Sequence, residues 1–298
     1  MEVVSKILRM RAVVDDLRRG GRKVGFVPTM GALHEGHLSL ARLVRERGAE
    51  CIFSVFVNPT QFAPDEDFER YPRDLTRDCE LLTREGVAAV FAPSPEEMHP
   101  PDFTTHVQVD ELSDILTGAH RPGHFRGVAT IVLKLLNIVE PDFAVFGWKD
   151  AQQLIILKQM ARDLNLAVEI VGAPTLREAD GVAASSRNVL LDEIGRRSAR
   201  ALYRALQEAV RLVDAGERSP QVVEDAAKAI LRADERIEID YVEAVSADDL
   251  GKQKRLSGAI LVLISVKVKM DGRPAVLLID NVQIDVPEDA AAPRRPGA

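Results

Sequence analysis

The chain has 298 residues, and 39 Lys+Arg against 46 Asp+Glu leave a formal net charge of −7. At about 150 residues per domain this length suggests two domains, and an apolar fraction of 46% excludes a mainly disordered chain. The mild acidity argues against a protein that wraps nucleic acid or lies on an anionic membrane, while leaving room for a local phosphate pocket.

The N-terminus, MEVVSKILRM, lacks the uninterrupted apolar stretch of a signal peptide. Lys23 to Val27 reads as a strand, followed by the turn PTMGALHEG. A helix is predicted over His37 to Arg47, with Leu40, Leu43 and Val44 along one stripe. Cys51 to Val57 is the next strand, and its nearly continuous apolar character suits a parallel sheet covered on both faces. Asn58 to Arg73 is a polar loop carrying three prolines, of a length typical of lids and binding loops. Asp74 to Arg84 reads as a helix and Val87 to Phe91 as a strand. Val128, Ile131, Val132, Leu135, Leu136 and Val139 recur at helical spacing, with Pro141 just past the end. Asp142 to Phe146 is a strand, followed by the turn GWKD, a helix from about Ala151 and a strand over Val168 to Val171.

This alternation predicts an α/β domain over residues 1–187, a Rossmann-like doubly wound parallel sheet. Ligands of such sheets lie beyond the carboxyl ends of the strands. The turns after Val27, Val57 and Phe146 are therefore where a site is expected. From Asn188 the pattern changes. A long amphipathic helix over Glu193 to Ala215 and a shorter one from Pro220 precede strands at Ile237–Val245, Ala259–Met270 and Ala275–Ile284. Helices followed by clustered strands predict a smaller α+β domain over 188–286. The tail 287–298, rich in Pro and Ala, reads as disordered. The run Ala259 to Val266 is far too short to span a membrane. Cys51 and Cys79 show no CxxC spacing and read as reduced thiols in a cytoplasmic protein.

Three constellations carry chemistry. His34 and His37 lie in the turn and first helical position after the first strand, where backbone N–H groups favour phosphate. Such a pair can donate hydrogen bonds to a phosphoryl group as charge builds on it; as a bare HxGH string they read equally as surface histidines. A metal reading is weaker, because there is no HExxH and no third ligand at a recognisable spacing. In NPTQF, Gln61 offers a neutral amide for hydroxyls and carboxylates, while Asn58 is also an ordinary turn initiator. Asp74 and Asp78 share a helical face and could hold Mg²⁺, although a solvated face is the simpler reading. In GWKD, Lys149 supplies a point charge, and Asp150 reads equally as an N-cap or a Mg²⁺ ligand. Gln153 follows one turn later, and Ala184 to Asn188 sets two hydroxyls beside a guanidinium.

TMGALHEGHL, VNPTQF, YPRD, HFRGVATIV, the GxKD turn with QQ behind it, and DGVAASSRN occur in that order between Lys23 and Asp192. Together they resemble the pantothenate synthetase (pantoate–β-alanine ligase) family of the HxGH nucleotidylyltransferase superfamily. The resemblance implies an AMP-forming ligase. The carboxylate of (R)-pantoate attacks the α-phosphorus of ATP, and the amine of β-alanine then attacks the pantoyl adenylate to give pantothenate. It assigns His37, His34 and Lys149 to catalysis, His37 as the proton donor. It assigns Met30, His34, His37, Gly147, Lys149, Asp150, Leu176, Ala184, Ser185, Ser186 and Arg187 to ATP. Gln61 and Gln153 would hold pantoate, with Gln61 also at the β-alanine position. Mg²⁺ would bridge the phosphates, the chain would be a cytoplasmic homodimer, and the C-terminal domain would act as a lid. Two residues depart from the family pattern: Trp148 where a polar residue is usual, and Ala184 in place of a larger apolar one. A nucleotidylyltransferase would keep the nucleotide on its product and release no AMP. A regulatory ATP-binding module would release neither AMP nor pyrophosphate.

Overall fold

A computed structural model describes residues 1–63 and 68–286; the tail from Pro287 and part of the 58–73 loop lie outside the described residues. In chain order the strands are β1 (Glu2–Val4), β2 (Val24–Thr29), β3 (Glu50–Val55), β4 (Ala89–Phe91), β5 (Phe143–Gly147), β6 (Glu169–Ala173), β7 (Ile237–Ser246), β8 (Gly258–Met270) and β9 (Arg273–Val286). The helices are α1 (Ile7–Arg19), α2 (Glu35–Glu46), α3 (Leu75–Arg84), α4 (Pro95–Met98), α5 (Thr117–His120), α6 (His124–Val139), α7 (Ala151–Asp163), α8 (Glu193–Asp214) and α9 (Pro220–Arg232). Short 3₁₀ turns cover Pro59–Gln61, Trp148–Asp150 and Ser186–Leu190.

The chain divides into two compact units. The first comprises Met1–Glu178 with Ala184–Ser186; the second takes Ala179–Ala183 and the chain from Arg187. In the first, β1 to β6 form one parallel sheet in the order β1-β4-β3-β2-β5-β6. The chain winds outward from β2 through β3 to β4, then restarts on the other side with β5 and β6. The order therefore reverses between β2 and β5, the place where such sheets open a crevice. Both faces are covered. Met10, Val13, Val14 and Leu17 of α1 pack with α6 and α7 on one face. Leu38, Ala41 and Val44 of α2 and Leu82 of α3 pack on the other. Neighbours along β3 alternate between these cores: Ile52 faces the first and Phe53 the second. That double burial is why the strand reads as a nearly continuous apolar run.

The expected Rossmann-like parallel sheet and the small α+β portion are both present. Some boundaries differ. The α6 helix starts at His124, four residues before the apolar stripe, because Gly123 with φ 81° lets the chain turn into it. The α2 helix starts at Glu35, so His37 is its third residue, with His34 at the N-cap. The strand β1 and the helices α1, α4 and α5 are additions to the sequence reading. In the second unit, β7, β8 and β9 pair antiparallel, and Ile260, Val262 and Ile264 of β8 share a core with Leu202 and Leu206 of α8 and Leu231 of α9. Asp180 accepts from Nε and Nη2 of Arg196 at 2.8 and 2.7 Å, tying the 179–183 segment to α8. Cys51 and Cys79 are free thiols. Among the described residues no helix is long and apolar enough to cross a membrane.

Candidate active site

The carboxyl ends of β2 and β5 each lead into a polar turn. After β2, the chain runs through Met30 to the two histidines. Their rings lie 4.0 Å apart, centroid to centroid. The intervening glycine has a steric reason: a Cβ at Gly36 would stand 2.9 Å from Cε1 of His34. The backbone N–H of His34 donates to Nδ1 of His37 at 3.3 Å. Nδ1 is thereby the unprotonated nitrogen, and a neutral His37 carries its proton on Nε2.

Both imidazoles are held neutral. Burial chiefly, with the nearby Lys149 charge second, brings His34 down to about 4. Burial, then His34 and Lys149, bring His37 down to about 3. Lys149 is a permanent charge near both, and the histidines face it as uncharged N–H donors.

This turn is anchored from α3. Asp78 is fully buried. Its Oδ2 accepts from the N–H of Ala32 at 2.9 Å and its Oδ1 from Leu33 at 2.8 Å. Asp74 caps α3 by accepting from the N–H of Arg77 at 3.0 Å. The solvated-face reading of this pair therefore fails for Asp78, and both carboxylates are occupied by backbone amides.

After β5, the 3₁₀ turn presents Lys149 and Asp150. Nζ of Lys149 lies 3.5 Å from Oδ1 of Asp150. Asp150 occupies the N-cap position of α7, yet its side chain makes no capping bond and stays about half exposed. Trp148 packs backward: a Cβ at Gly172 in β6 would meet its Nε1 at 2.5 Å, and Nζ of Lys158 stands 5.0 Å over the indole. Behind the turn, Gln152 is buried and spent on the backbone. It donates to the carbonyls of Leu112 and Ile115 and accepts from the N–H of Thr117. Gln153 is half-buried on the next position of α7.

Beyond β3, Gln61 is buried and its Nε2 points at Sδ of Met30, 3.2 Å away. Leu176 accepts from the N–H of Ala184 at 2.9 Å. Ala184 is buried against the HxGH corner, its Cβ 3.3 Å from where a Cβ on Gly36 would lie. The Ser186 hydroxyl is 3.4 Å from that of Tyr71. The first unit therefore sets His34 against His37 and Gln61 against Met30, on the segments that follow β2 and β3. Lys149 and Asp150 are close enough to act electrostatically on His34. Arg187 belongs to the second unit.

Among the described residues, no three His, Cys, Asp or Glu side chains form a metal cage. A Mg²⁺ carried on a triphosphate needs only one or two carboxylates from the protein. Asp150, uncapped and beside Lys149, fits that requirement; Asp74 and Asp78 do not.

A parallel sheet with uncharged imidazole donors and a lysine at its switch point defines a nucleotide-binding α/β enzyme. The family model for Pantoate-beta-alanine ligase matches residues 2–283. The pantothenate synthetase of Moorella thermoacetica is 51% identical over 286 residues, covering 96% of this chain and 99% of that protein. That of Caldicellulosiruptor bescii is 48% identical over 285 residues, with the same coverages. The crystal structure of pantothenate synthetase from Thermus thermophilus superposes with a TM-score of 0.89 at 43% identity, covering 95% of this chain and 99% of that one. The pantoate-beta-alanine ligase of Francisella tularensis, complexed with beta-gamma ATP and beta-alanine, gives a TM-score of 0.76 at 30% identity, over 95% and 97% of the two chains. The chain belongs to the pantoate-beta-alanine ligase family.

Proposed function

We propose how the residues of this chain perform its reaction, the ATP-dependent condensation of (R)-pantoate with β-alanine to pantothenate through pantoyl adenylate. The observation that carries the proposal is the switch point, where the histidine turn after β2 and the lysine turn after β5 meet. Nε2–H of His37 and the ring of His34 donate to the α-phosphate, and Lys149 binds the phosphates as a point charge. Ser185, Ser186 and Arg187 add donors, while Met30, Gly147, Leu176 and Ala184 line the nucleotide. Gln61 and Gln153 hold pantoate so that its carboxylate oxygen faces the α-phosphorus.

In the first step a P–O bond forms to pantoate, the bond to the β-phosphate oxygen breaks, and pyrophosphate leaves. In the second the β-alanine amine, held near Gln61, attacks the acyl carbon. A C–N bond forms, the acyl–phosphate C–O bond breaks, AMP leaves and the amine sheds its proton. Donors held in place ahead of the reaction stabilise the growing phosphoryl charge, which is the main contribution such a site makes. Asp150 would hold Mg²⁺ on the triphosphate, where it neutralises phosphate charge.

The test is turnover with ATP, (R)-pantoate and β-alanine. AMP release that depends on β-alanine is expected; pyrophosphate release with no AMP when all three substrates are present would identify a nucleotidylyltransferase instead. We further assign the chain to the cytoplasm, in keeping with its free thiols, and to a homodimer, as the family resemblance implies. Sedimentation at a monomer's mass would overturn the dimer.

A further inference from the structure

We propose that His99 is a positioning residue that anchors the Asn58–Gln61 amide pair and so helps fix which end of the Gln61 amide is offered to the acid substrate. The inference rests on the assignment of Gln61 to pantoate. His99 follows α4 and lies in none of the motifs that carry the family resemblance. Its Nε2–H donates to Oδ1 of Asn58 at 3.0 Å, across 41 residues of chain.

That one oxygen also accepts from the N–H of Thr60 at 3.3 Å and from its hydroxyl at 2.9 Å. Nδ2 of Asn58 donates to the carbonyl of Gly127 at 3.2 Å and to Oε1 of Gln61 at 3.1 Å. Reversing the Asn58 amide would set its NH₂ against the Thr60 N–H and its oxygen against the Gly127 carbonyl, so a single orientation survives, and His99 meets the oxygen with its Nε2–H. Gln61 is then fixed in turn. Its oxygen is engaged by Asn58, and its NH₂ faces Met30 at the start of the histidine turn. A carboxylate or hydroxyl acceptor meets N–H donors there rather than a carbonyl.

The Thr60 bonds are local to the 3₁₀ turn and travel with it. Anchorage to other elements comes from His99 and from α6. Nδ1–H of His124 donates to the Gln61 carbonyl at 2.8 Å. Gly127 has no Cβ that would strike the Thr60 carbonyl, 2.4 Å from that position. His99 suits its task because it stays a neutral Nε2–H tautomer. Its Nδ1 is buried without a hydrogen-bond partner, and burial, with Lys134 and His106 nearby, opposes a second proton. Phe103 packs edge-on to the ring at 5.1 Å.

The test compares His99→Phe, which keeps a ring and deletes the donor, with His99→Gln, which keeps an NH₂ donor. One neutral hydrogen bond predicts that His99→Phe raises the KM for pantoate about five- to tenfold, with kcat and the KM for ATP within about twofold. His99→Gln restores the pantoate KM to within about twofold of the parent enzyme. An unchanged pantoate KM in His99→Phe, equal rises in both KM values, or equal impairment of the two variants overturns the positioning role. A Gln61→Ala control separates the premises. If it leaves the pantoate KM unchanged, the Gln61 assignment falls and the inference with it. If it raises that KM while His99→Phe does not, only the relay falls.

Discussion

The two histidines act through geometry rather than charge. His37 receives a backbone N–H on Nδ1, so Nε2 is left as its donor toward a phosphoryl oxygen. Replacing His37 with Gln should lower kcat for pantoate-dependent pyrophosphate release by about 10²- to 10³-fold, the usual loss for one preorganised donor. A variant turning over at the parent rate would remove His37 from the mechanism. Trp148 makes the opposite case. Its indole is packed on Gly172 and under Lys158, which leaves the backbone of the turn as its contribution to the nucleotide side. Trp148→Gln should therefore keep the KM for ATP within about threefold while lowering the melting temperature through lost burial of an aromatic ring. A large rise in the ATP KM with unchanged melting would show that the side chain reaches the nucleotide.

Between elements, the decisive tie is α3 to the loop after β2. Asp78 satisfies two consecutive amides of that loop from full burial. In Asp78→Asn one of those amides would face an NH₂ group instead of an oxygen. The expected cost is about 2–3 kcal/mol of unfolding free energy, the penalty of an unsatisfied buried donor, read by urea denaturation. A change below about 0.5 kcal/mol would mean the loop holds itself. Elements with a strong period were legible in the sequence: α6 through its apolar stripe, α8 through its amphipathic length, β3 through its double burial. The edge strand β1 was not, since three residues carry no period. The stripe Met10, Val13, Val14 and Leu17 did carry a helical period, and α1 could have been read from it. The histidine, lysine and glutamine positions were legible because each stands in a motif beside a strand end. The tasks of Asp78 and His99 were not. Their partners lie about 45 and 41 residues away, and only the sheet order brings them within reach.

For the whole molecule, the neutral histidines link stability to pH. Their folded proton affinities lie at about 4 and 3 against an unfolded value near 6.5. As pH falls below about 6.5 the unfolded chain takes up protons that the folded one refuses, so stability declines toward pH 4. Thermal melting from pH 7 to 4 should show a steeper loss in the parent than in a His34→Gln, His37→Gln double variant. Parallel curves would contradict the neutral assignment. The strand order has a further consequence, for synthesis. β2 is bracketed by β3, made soon after it, and by β5, which pairs with it across about 118 residues, as the bond from Val24 to Asp142 shows. Pairing at such separation is slow to form, because a long loop must close before it is rewarded. A nascent chain can therefore display its histidine turn well before the lysine that faces it exists. Such a chain has half a catalytic centre, which stays incomplete until β5 docks beside β2.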